Sequence, residues 1–127
     1  MRLPALLLGR IFLALPFLVF GLLHFSAGAQ MAGMVPSWIP GGVLWVYLTG
    51  AANVLAAVAF LTGKKVKLAG RLTALMVVIF ILTIHLPGVM NAADDMARQI
   101  AMTMLLKDLG LAGGALLLSH VYERHEA

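Results

Sequence analysis

The chain has no cysteine and little charge. The absence of cysteine from 127 residues excludes a disulfide framework, a thiol relay and a Cys-ligated cluster within this chain. Only 11% of the residues are charged and 62% are hydrophobic, whereas soluble domains have about 25% charged residues. The mean hydropathy is +1.01. A soluble core of this size could not hide so much apolar surface, so the composition predicts a membrane protein.

The sequence also lacks the marks of a self-sufficient enzyme. It contains no phosphate-binding loop, no nucleophile–base pair at a usable spacing and no segment for a water-soluble cofactor domain. The net charge of +4 would favour nucleic-acid binding in a soluble protein. Here the cations flank hydrophobic segments, which points to membrane topology instead. We therefore expect the lipid bilayer as a partner, no nucleic acid, and a role other than that of an independent enzyme.

Four hydrophobic runs are each long enough to cross a bilayer as a helix, which takes about 20 apolar residues. None alternates strictly between polar and apolar residues, which disfavours transmembrane β-strands. No repeat, low-complexity tract or linker divides the chain. We predict one all-α domain over residues 1–127, a polytopic membrane protein folded as an up-down four-helix bundle, with spans at about 6–25, 43–61, 68–86 and 100–118.

Lysine and arginine are distributed unevenly between the two ends of this predicted bundle. Arg98 lies alone at one end, and Lys107 lies within the fourth span. The end that is rich in cations normally faces the cytoplasm. We therefore expect a multi-pass protein of the cell inner membrane with both termini in the cytoplasm. The cations at the cytoplasmic end are Arg2, Arg10, Lys64, Lys65, Lys67, Arg71 and Arg124.

The N-terminal segment has a second interpretation. Arg2 and Arg10, the apolar run 11–23 and the small residues 27–29 resemble a signal peptide with a cleavage site. Cleavage would leave three spans and would place the Lys64–Lys67 turn and the C-terminal tail on opposite sides of the membrane. The one-sided distribution of cations therefore favours the four-span interpretation.

Polar side chains within the spans are the candidate functional residues, because each ionisable group costs about 3 kcal/mol at the bilayer centre. Asn53, Lys107 and Asp108 fall near the midplane, whereas Arg10 and Arg71 fall toward the cytoplasmic ends as structural polar residues. Lys107 and Asp108 are neighbours that point about 100° apart, so each needs a partner on another helix. For Asp108 the candidates are Arg10 and Asn53. A polar clamp that fixes helix register and a site that handles protons or binds a head group both fit.

Two histidines form a second constellation near the outer ends of spans one and three. His24 and His85 lie on helices that run in the same direction, so their rings could approach. Loop carbonyls could satisfy them, or they could donate to the carbonyl of a quinone or a similar head group. A smaller alternative is metal binding, either as axial ligands of haem or as a Cu(I) site completed by Met31, Met34 or Met90.

The uncharged connection 29–42 is rich in proline, glycine and apolar residues. Such a segment fits the outer membrane interface, with Trp38 as an anchor. It forms either a simple interfacial turn or a cap over a cavity near the histidines. The candidate ligand-binding residues are therefore His24, Trp38, Asn53, His85, Lys107 and Asp108.

Small residues recur at helical spacing in two spans. Gly110 and Gly114 form a G-x-x-x-G pattern in the fourth span, and Gly50, Asn53 and Ala57 line one face of the second. Such stripes permit close helix contact, within the bundle or in a homodimer. We expect contact within the bundle.

Several short motifs resemble the DoxX family of small four-helix membrane proteins, over nearly the whole chain. They are Arg10, Gly21-Leu-Leu-His-Phe25, Val35-Pro-Ser-Trp-Ile-Pro40, Thr49-Gly-Ala-Ala-Asn-Val-Leu55 and Arg71. The resemblance implies an inner-membrane bundle, associated in some members with quinone-linked sulfur or thiol oxidation. Two features depart from it: Asn53 stands where relatives are often acidic, and any thiol chemistry would belong to a partner protein because this chain has no cysteine.

Two hypotheses of function follow. In the first, the chain is a small subunit of a quinone- or redox-linked membrane complex with a partner redox protein. A quinone head group would meet His24, Trp38 and His85, while Lys107 and Asp108 handle protons. In the second, the chain is a non-catalytic scaffold or a small-molecule transporter, acting as a homodimer. Four helices are few for a transporter, and no inverted repeat is evident.

Overall fold

The computed structural model describes residues 3–123, apart from the side chain of Leu3. Arg2 and Arg124, two of the cations that indicate topology, lie outside the described residues. A 3₁₀ turn, Ala32–Met34, follows the second helix, and a π-helical turn, Ile81–His85, joins the fourth helix to the fifth. The α-helices are α1 (Leu3–Ser26), α2 (Gly28–Met31), α3 (Val43–Thr62), α4 (Val66–Phe80), α5 (Leu86–Met90) and α6 (Asp95–Val121).

Four helical stretches are long and apolar enough to cross a membrane. They are Pro4–Ser26, Val43–Thr62, Val66–Met90 and Asp95–Val121, and each contains one of the predicted spans. No strand occurs within residues 3–123. The predicted all-α fold with four transmembrane helices is therefore confirmed, and the chain is a multi-pass membrane protein.

The interior of the bundle is built largely from small side chains, while large apolar side chains point outward. Ala57 and Ala115 are fully buried, whereas Phe12, Leu55 and Leu117 are exposed on the surface of the bundle. In a membrane this surface meets lipid tails, so burying large apolar groups gives no hydrophobic gain and close packing decides the contacts.

Two close helix crossings hold the bundle together. At the α1–α3 crossing, a Cβ added to Gly21 would lie 2.7 Å from Val54 Cγ2 and 2.9 Å from the carbonyl oxygen of Gly50. At the α4–α6 crossing, a Cβ added to Gly70 would lie 2.6 Å from the carbonyl oxygen of Ala115. Only glycine allows the two backbones to come this close. The bundle is thus two tight pairs, α1 with α3 and α4 with α6.

The G-x-x-x-G pattern of α6 does not form a close crossing. A Cβ at Gly110 would meet nothing within 4 Å, and one at Gly114 would meet only Leu13 at 3.6 Å. The expectation that this stripe packs within the bundle is therefore wrong for Gly110. The reason is register: α4 packs on the face of α6 that carries Ala115 and Ser119, where the Ser119 hydroxyl donates to the Lys67 carbonyl at 2.8 Å.

The third transmembrane stretch continues beyond the predicted end at Leu86 and reaches Met90. Pro87 has no N–H to donate, and its ring excludes an ordinary helical contact with the carbonyl four residues before it. The backbone widens ahead of it, so that the Leu86 N–H bonds to the Ile81 carbonyl, five residues back. Proline is tolerated where the helix restarts as α5.

Arg10 joins three helices at one end of the bundle. Its guanidinium donates to the carbonyls of Phe60 and Leu61, both at 2.9 Å, and to the Tyr122 hydroxyl at 3.1 Å. The two carbonyls belong to the last turn of α3, where helical partners are missing. Arg71 lies at the same end, and its Nη2 atom is 2.6 Å from Glu123 Oε1 at an exposed position. The N-terminal part of α1, the α3–α4 turn and the end of α6 therefore share one end, as an up-down topology requires.

Candidate functional site

An ionic cluster lies deep within the transmembrane region. His85 Nε2 is 3.1 Å from Asp108 Oδ2, and the two side chains are only 11% and 6% exposed. Lys107 Nζ is 3.4 Å from the other carboxylate oxygen, Oδ1, and its side chain is 40% exposed. Asp108 lies at the middle of α6, thirteen residues from Asp95 and from Val121. One carboxylate thus holds an imidazole from the bundle interior and an ammonium from its edge.

Helix direction explains why His85 reaches Asp108. The α4–α5 segment and α6 are antiparallel, and Gly88 packs against Ala101, with 3.3 Å from an added Cβ to the Ala101 Cβ. This register leaves His85 nearer the end of the bundle that carries Met90 than Asp108 is. Side chains lean toward the N-terminus of their own helix. His85 therefore leans toward the end of the bundle that carries Arg10, and Asp108 leans toward the end that carries Met90. The two side chains meet although their backbones lie at different levels.

The π-helical turn sets the direction of the imidazole. His85 is the last residue of this turn, which Pro87 follows two residues later. A π-helical turn inserts an extra residue and rotates the side chains around it, and such turns often occur at functional sites. The proline was visible in the sequence, and it is the signal from which the irregular turn could have been anticipated.

Phe20 extends the cluster to α1. The Lys107 Nζ atom stands 4.3 Å from the centre of the Phe20 ring, within the range of a cation–π contact. The Phe20 carbonyl accepts from His24 Nδ1 at 2.5 Å, which fixes the proton on that nitrogen because a carbonyl can only accept. His24, Lys107, Asp108 and His85 therefore belong to one chain of contacts across α1, α6 and the π-helical turn. Sequence analysis missed Phe20, although it lies one helical turn before His24.

Asp108 lies against His85 and Lys107, and not against Arg10 as expected. The guanidinium of Arg10 is taken by the end of α3 and by Tyr122. Phe20, which marks the level of Lys107, is ten residues from Arg10, or about 15 Å along α1. Arg10 therefore lies too far toward its own end of the bundle. Lys107 also approaches the carboxylate from the same helix, although neighbours on a helix were expected to need separate partners.

Asn53 and Trp38 occupy different surroundings. Asn53 is buried on the face of α3 that also carries Gly50, which packs against the Cβ of His24. Trp38 is 76% exposed in the outer connection. Close to it, the Trp45 indole donates to the Pro40 carbonyl at 2.5 Å. The structure thus places Asn53 beside the α1–α3 crossing, and it leaves Trp38 at the surface where an interfacial anchor is expected.

The two histidines are engaged by different groups, His24 by the Phe20 carbonyl and His85 by Asp108. Within the described part of the chain, no three residues of the types His, Cys, Asp and Glu are grouped so that they could hold a metal ion. The His24 ring is hydrogen-bonded to a carbonyl and the His85 ring lies against a carboxylate, so the interpretation as a shared haem or Cu(I) site gains no further support from these contacts.

The cluster has two kinds of chemistry available to it. The carboxylate and the imidazole can exchange a proton over a short, largely buried contact. The ammonium of Lys107 has three N–H donors, of which one direction is used toward Asp108. α1 and α6 make few contacts with each other, and the half-exposed Lys107 side chain lies at this edge of the bundle, which meets lipid in a membrane. The arrangement suits an uncharged lipophilic head group with a hydrogen-bond acceptor.

Comparison with known proteins gives a family but no activity. A family model described as a domain of unknown function, DUF8561, matches residues 13–115. This range includes the cluster and most of all four transmembrane helices. No curated protein and no solved structure matches the chain. The chain belongs to the DUF8561 family.

Proposed function

We propose that this chain is the quinone-binding small subunit of a redox-linked membrane complex, with the cluster of His85, Lys107 and Asp108 as its head-group site. The observation that carries the proposal is the paired carboxylate and imidazole at transmembrane depth, with an ammonium beside them at the lipid-facing edge. Ionisable groups in such a position are expensive and usually functional.

The three side chains take separate roles in this proposal. Lys107 donates to a quinone carbonyl at the lipid-facing edge between α1 and α6. Asp108 and His85 relay the protons that accompany reduction, since a quinone takes up two electrons and two protons to become a quinol. The electrons come from a partner redox protein, because this chain has no cysteine. His24 lies one helical turn from Phe20 on α1 and bonds to its carbonyl.

The cellular setting is part of the same proposal. The described cations at the Arg10 end are Arg10, Lys64, Lys65, Lys67 and Arg71, against Arg98 at the other. This bias supports an inner-membrane protein with both termini in the cytoplasm. The motifs around Arg10, His24, Trp38 and Asn53 support a protein of the DoxX-like type, in which quinone-linked oxidation is one of the roles.

The direct test is to extract lipophilic compounds from the purified protein and to measure quinone per chain. We expect near-stoichiometric quinone in the wild type and at least about a tenfold loss in Lys107→Gln, which weakens the charge-assisted hydrogen bond to the quinone. Asp108→Asn should cause a similar loss, because the Asp108 carboxylate holds the Lys107 ammonium in place. Arg98→Gln is the control, because this exposed cation lies away from the cluster. A wild-type protein without quinone, or equal amounts in all variants, would contradict the proposal.

A second candidate function is a non-catalytic scaffold or small transporter that acts as a homodimer. The open surface at Gly110 favours it, since a second copy could approach closely there. In that case the cluster only clamps α6 to the π-helical turn. Two results together would support this alternative. The wild type would form a stable dimer without quinone, and Gly110→Leu would convert this dimer to a monomer.

A further inference from the structure

A groove of about 460 Å³ lies between α3 and α4, on a part of the surface that the cluster does not reach. These two helices contact each other far less than the tight pairs do. Alanines on α3 leave the groove open, and larger apolar side chains of α4 form its other wall. The lining includes Ala52, Ala56 and Ala59 of α3 and Leu68, Leu72 and Met76 of α4.

One end of the groove is marked by a cation. Lys65 belongs to the lining, and the exposed Lys64 precedes it in the α3–α4 turn. Lys65 has φ 57°, a left-handed conformation that is unusual for a side chain other than glycine. It stands at the N-terminus of α4. Positive charge therefore gathers at one end of an otherwise apolar groove.

The length of the groove matches one leaflet of the bilayer. From Lys65 to Met76 the chain advances eleven residues along α4, or about 16 Å. Half of a hydrocarbon core that is about 30 Å thick is about 15 Å. A molecule with an anionic head at Lys65 and a tail along the alanines of α3 would fit this depth.

We infer that the α3–α4 groove binds an anionic phospholipid, with its phosphate at Lys64 and Lys65 and one acyl chain along the groove. The charge of the turn favours a lipid over a second copy of the chain. Two copies inserted in the same direction would place their basic turns at the same level, where like charges repel. An anionic head group instead neutralises the turn, and basic residues at the ends of transmembrane helices favour such lipids.

The test is native mass spectrometry of the full chain with a mixture of phosphatidylglycerol and phosphatidylcholine that carry identical acyl chains. We expect one retained phosphatidylglycerol per chain, preferred over phosphatidylcholine by about thirtyfold, as two lysines near a head group predict. The double variant Lys64→Gln/Lys65→Gln should remove the preference. Arg98→Gln, which changes an exposed cation at the opposite end, should keep it.

A second variant tests the tail. Ala59→Leu fills the groove and should reduce retention of both lipids, whereas Val58→Leu changes an exposed neighbour outside the lining and should not. Circular dichroism checks that every variant keeps its helices. Inorganic phosphate should leave the lipid bound, because the acyl chain contributes to binding.

Three results would overturn the inference. Equal retention of the two lipids would show ordinary contact with the bilayer. Displacement by inorganic phosphate would show an anion site without a lipid. A dimer that excludes lipid from the groove would identify a second copy as its occupant. None of these results bears on the quinone site, which lies on other helices and has its own test.

Discussion

Arg10 and Asp108 show, at the scale of single residues, how charge is kept inside an apolar bundle. Arg10 binds two carbonyls at the end of α3 and the Tyr122 hydroxyl, while Asp108 binds His85 and Lys107. Unpaired, either group would be expensive in a bilayer. The sequence shows which side chains need partners, but not which partners they find, because this depends on the register between helices.

Replacing Arg10 by lysine should destabilise the bundle although it preserves the charge. A compact ammonium lacks the planar fork that reaches the Phe60 and Leu61 carbonyls and the Tyr122 hydroxyl together. We expect the free energy of unfolding, measured by denaturant titration in micelles, to fall by about 1–2 kcal/mol.

The matched control is Arg98→Lys. Arg98 is exposed and its contact with Asp95 is 3.4 Å within one helix turn, so the change should stay within about 0.5 kcal/mol. Equal effects of the two substitutions would contradict the role assigned to the Arg10 contacts.

At the scale of helices, close backbone approach distinguishes glycines that look alike in the sequence. Gly70 lies where α4 presses on α6, whereas Gly110 faces no other side chain or backbone of the described residues within 4 Å. Both belong to transmembrane helices, and each is followed four residues later by another small residue, Ala74 or Gly114. Only the structure separates a packing glycine from an open one.

Gly70→Ala and Gly110→Ala should therefore have opposite effects on the stability of the bundle. The added Cβ at Gly70 would lie 2.6 Å from a backbone oxygen and force the helices apart, at about 1–3 kcal/mol. At Gly110 the substitution should be neutral or stabilise by up to about 1 kcal/mol, because alanine favours helix. The same unfolding assay measures both, and a loss of stability at Gly110 alone would refute this assignment of the crossings.

Much of the helical framework could be predicted from the sequence, because length and apolar composition decide what crosses a bilayer. The predicted spans at 6–25 and 43–61 nearly coincide with the first two transmembrane stretches. The helix of the third span continues past the predicted span end at Leu86 to Met90, because the π-helical turn accommodates Pro87. The contacts of the candidate site with Phe20 could not be predicted, because they depend on how α6 stands against α1.

At the scale of the whole molecule, charge distribution gives the bundle a direction in the membrane. The α3–α4 turn carries Lys64 and Lys65, and Lys67 follows in the first turn of α4, while the connection between α5 and α6 carries Asp94. Asp94 also caps α6, accepting from the Ala97 N–H at 2.7 Å. Under the positive-inside rule this bias supports the proposed orientation, in which the α3–α4 turn lies in the cytoplasm.

Cysteine labelling can measure this direction without background, because the chain has no native cysteine. A membrane-impermeant maleimide added to intact spheroplasts should label Ala93→Cys in the α5–α6 connection. It should label Lys64→Cys only after the membrane is permeabilised. The reverse pattern would contradict the proposed orientation.

The central claim is that the cluster of His85, Lys107 and Asp108 binds a ligand and is more than a clamp between helices. Asp108→Asn separates the two roles, because an amide oxygen can still accept from His85 while the carboxylate charge is lost. A clamp would keep most of its hydrogen bonding in this variant. A site that binds and exchanges protons would not keep its function.

The most direct measurement compares quinone bound per chain with the free energy of unfolding in the wild type and in Asp108→Asn. The proposed function predicts at least about a tenfold loss of bound quinone with a change in stability of no more than about 1 kcal/mol. Unchanged quinone content, or a loss that appears only together with unfolding, would contradict the claim.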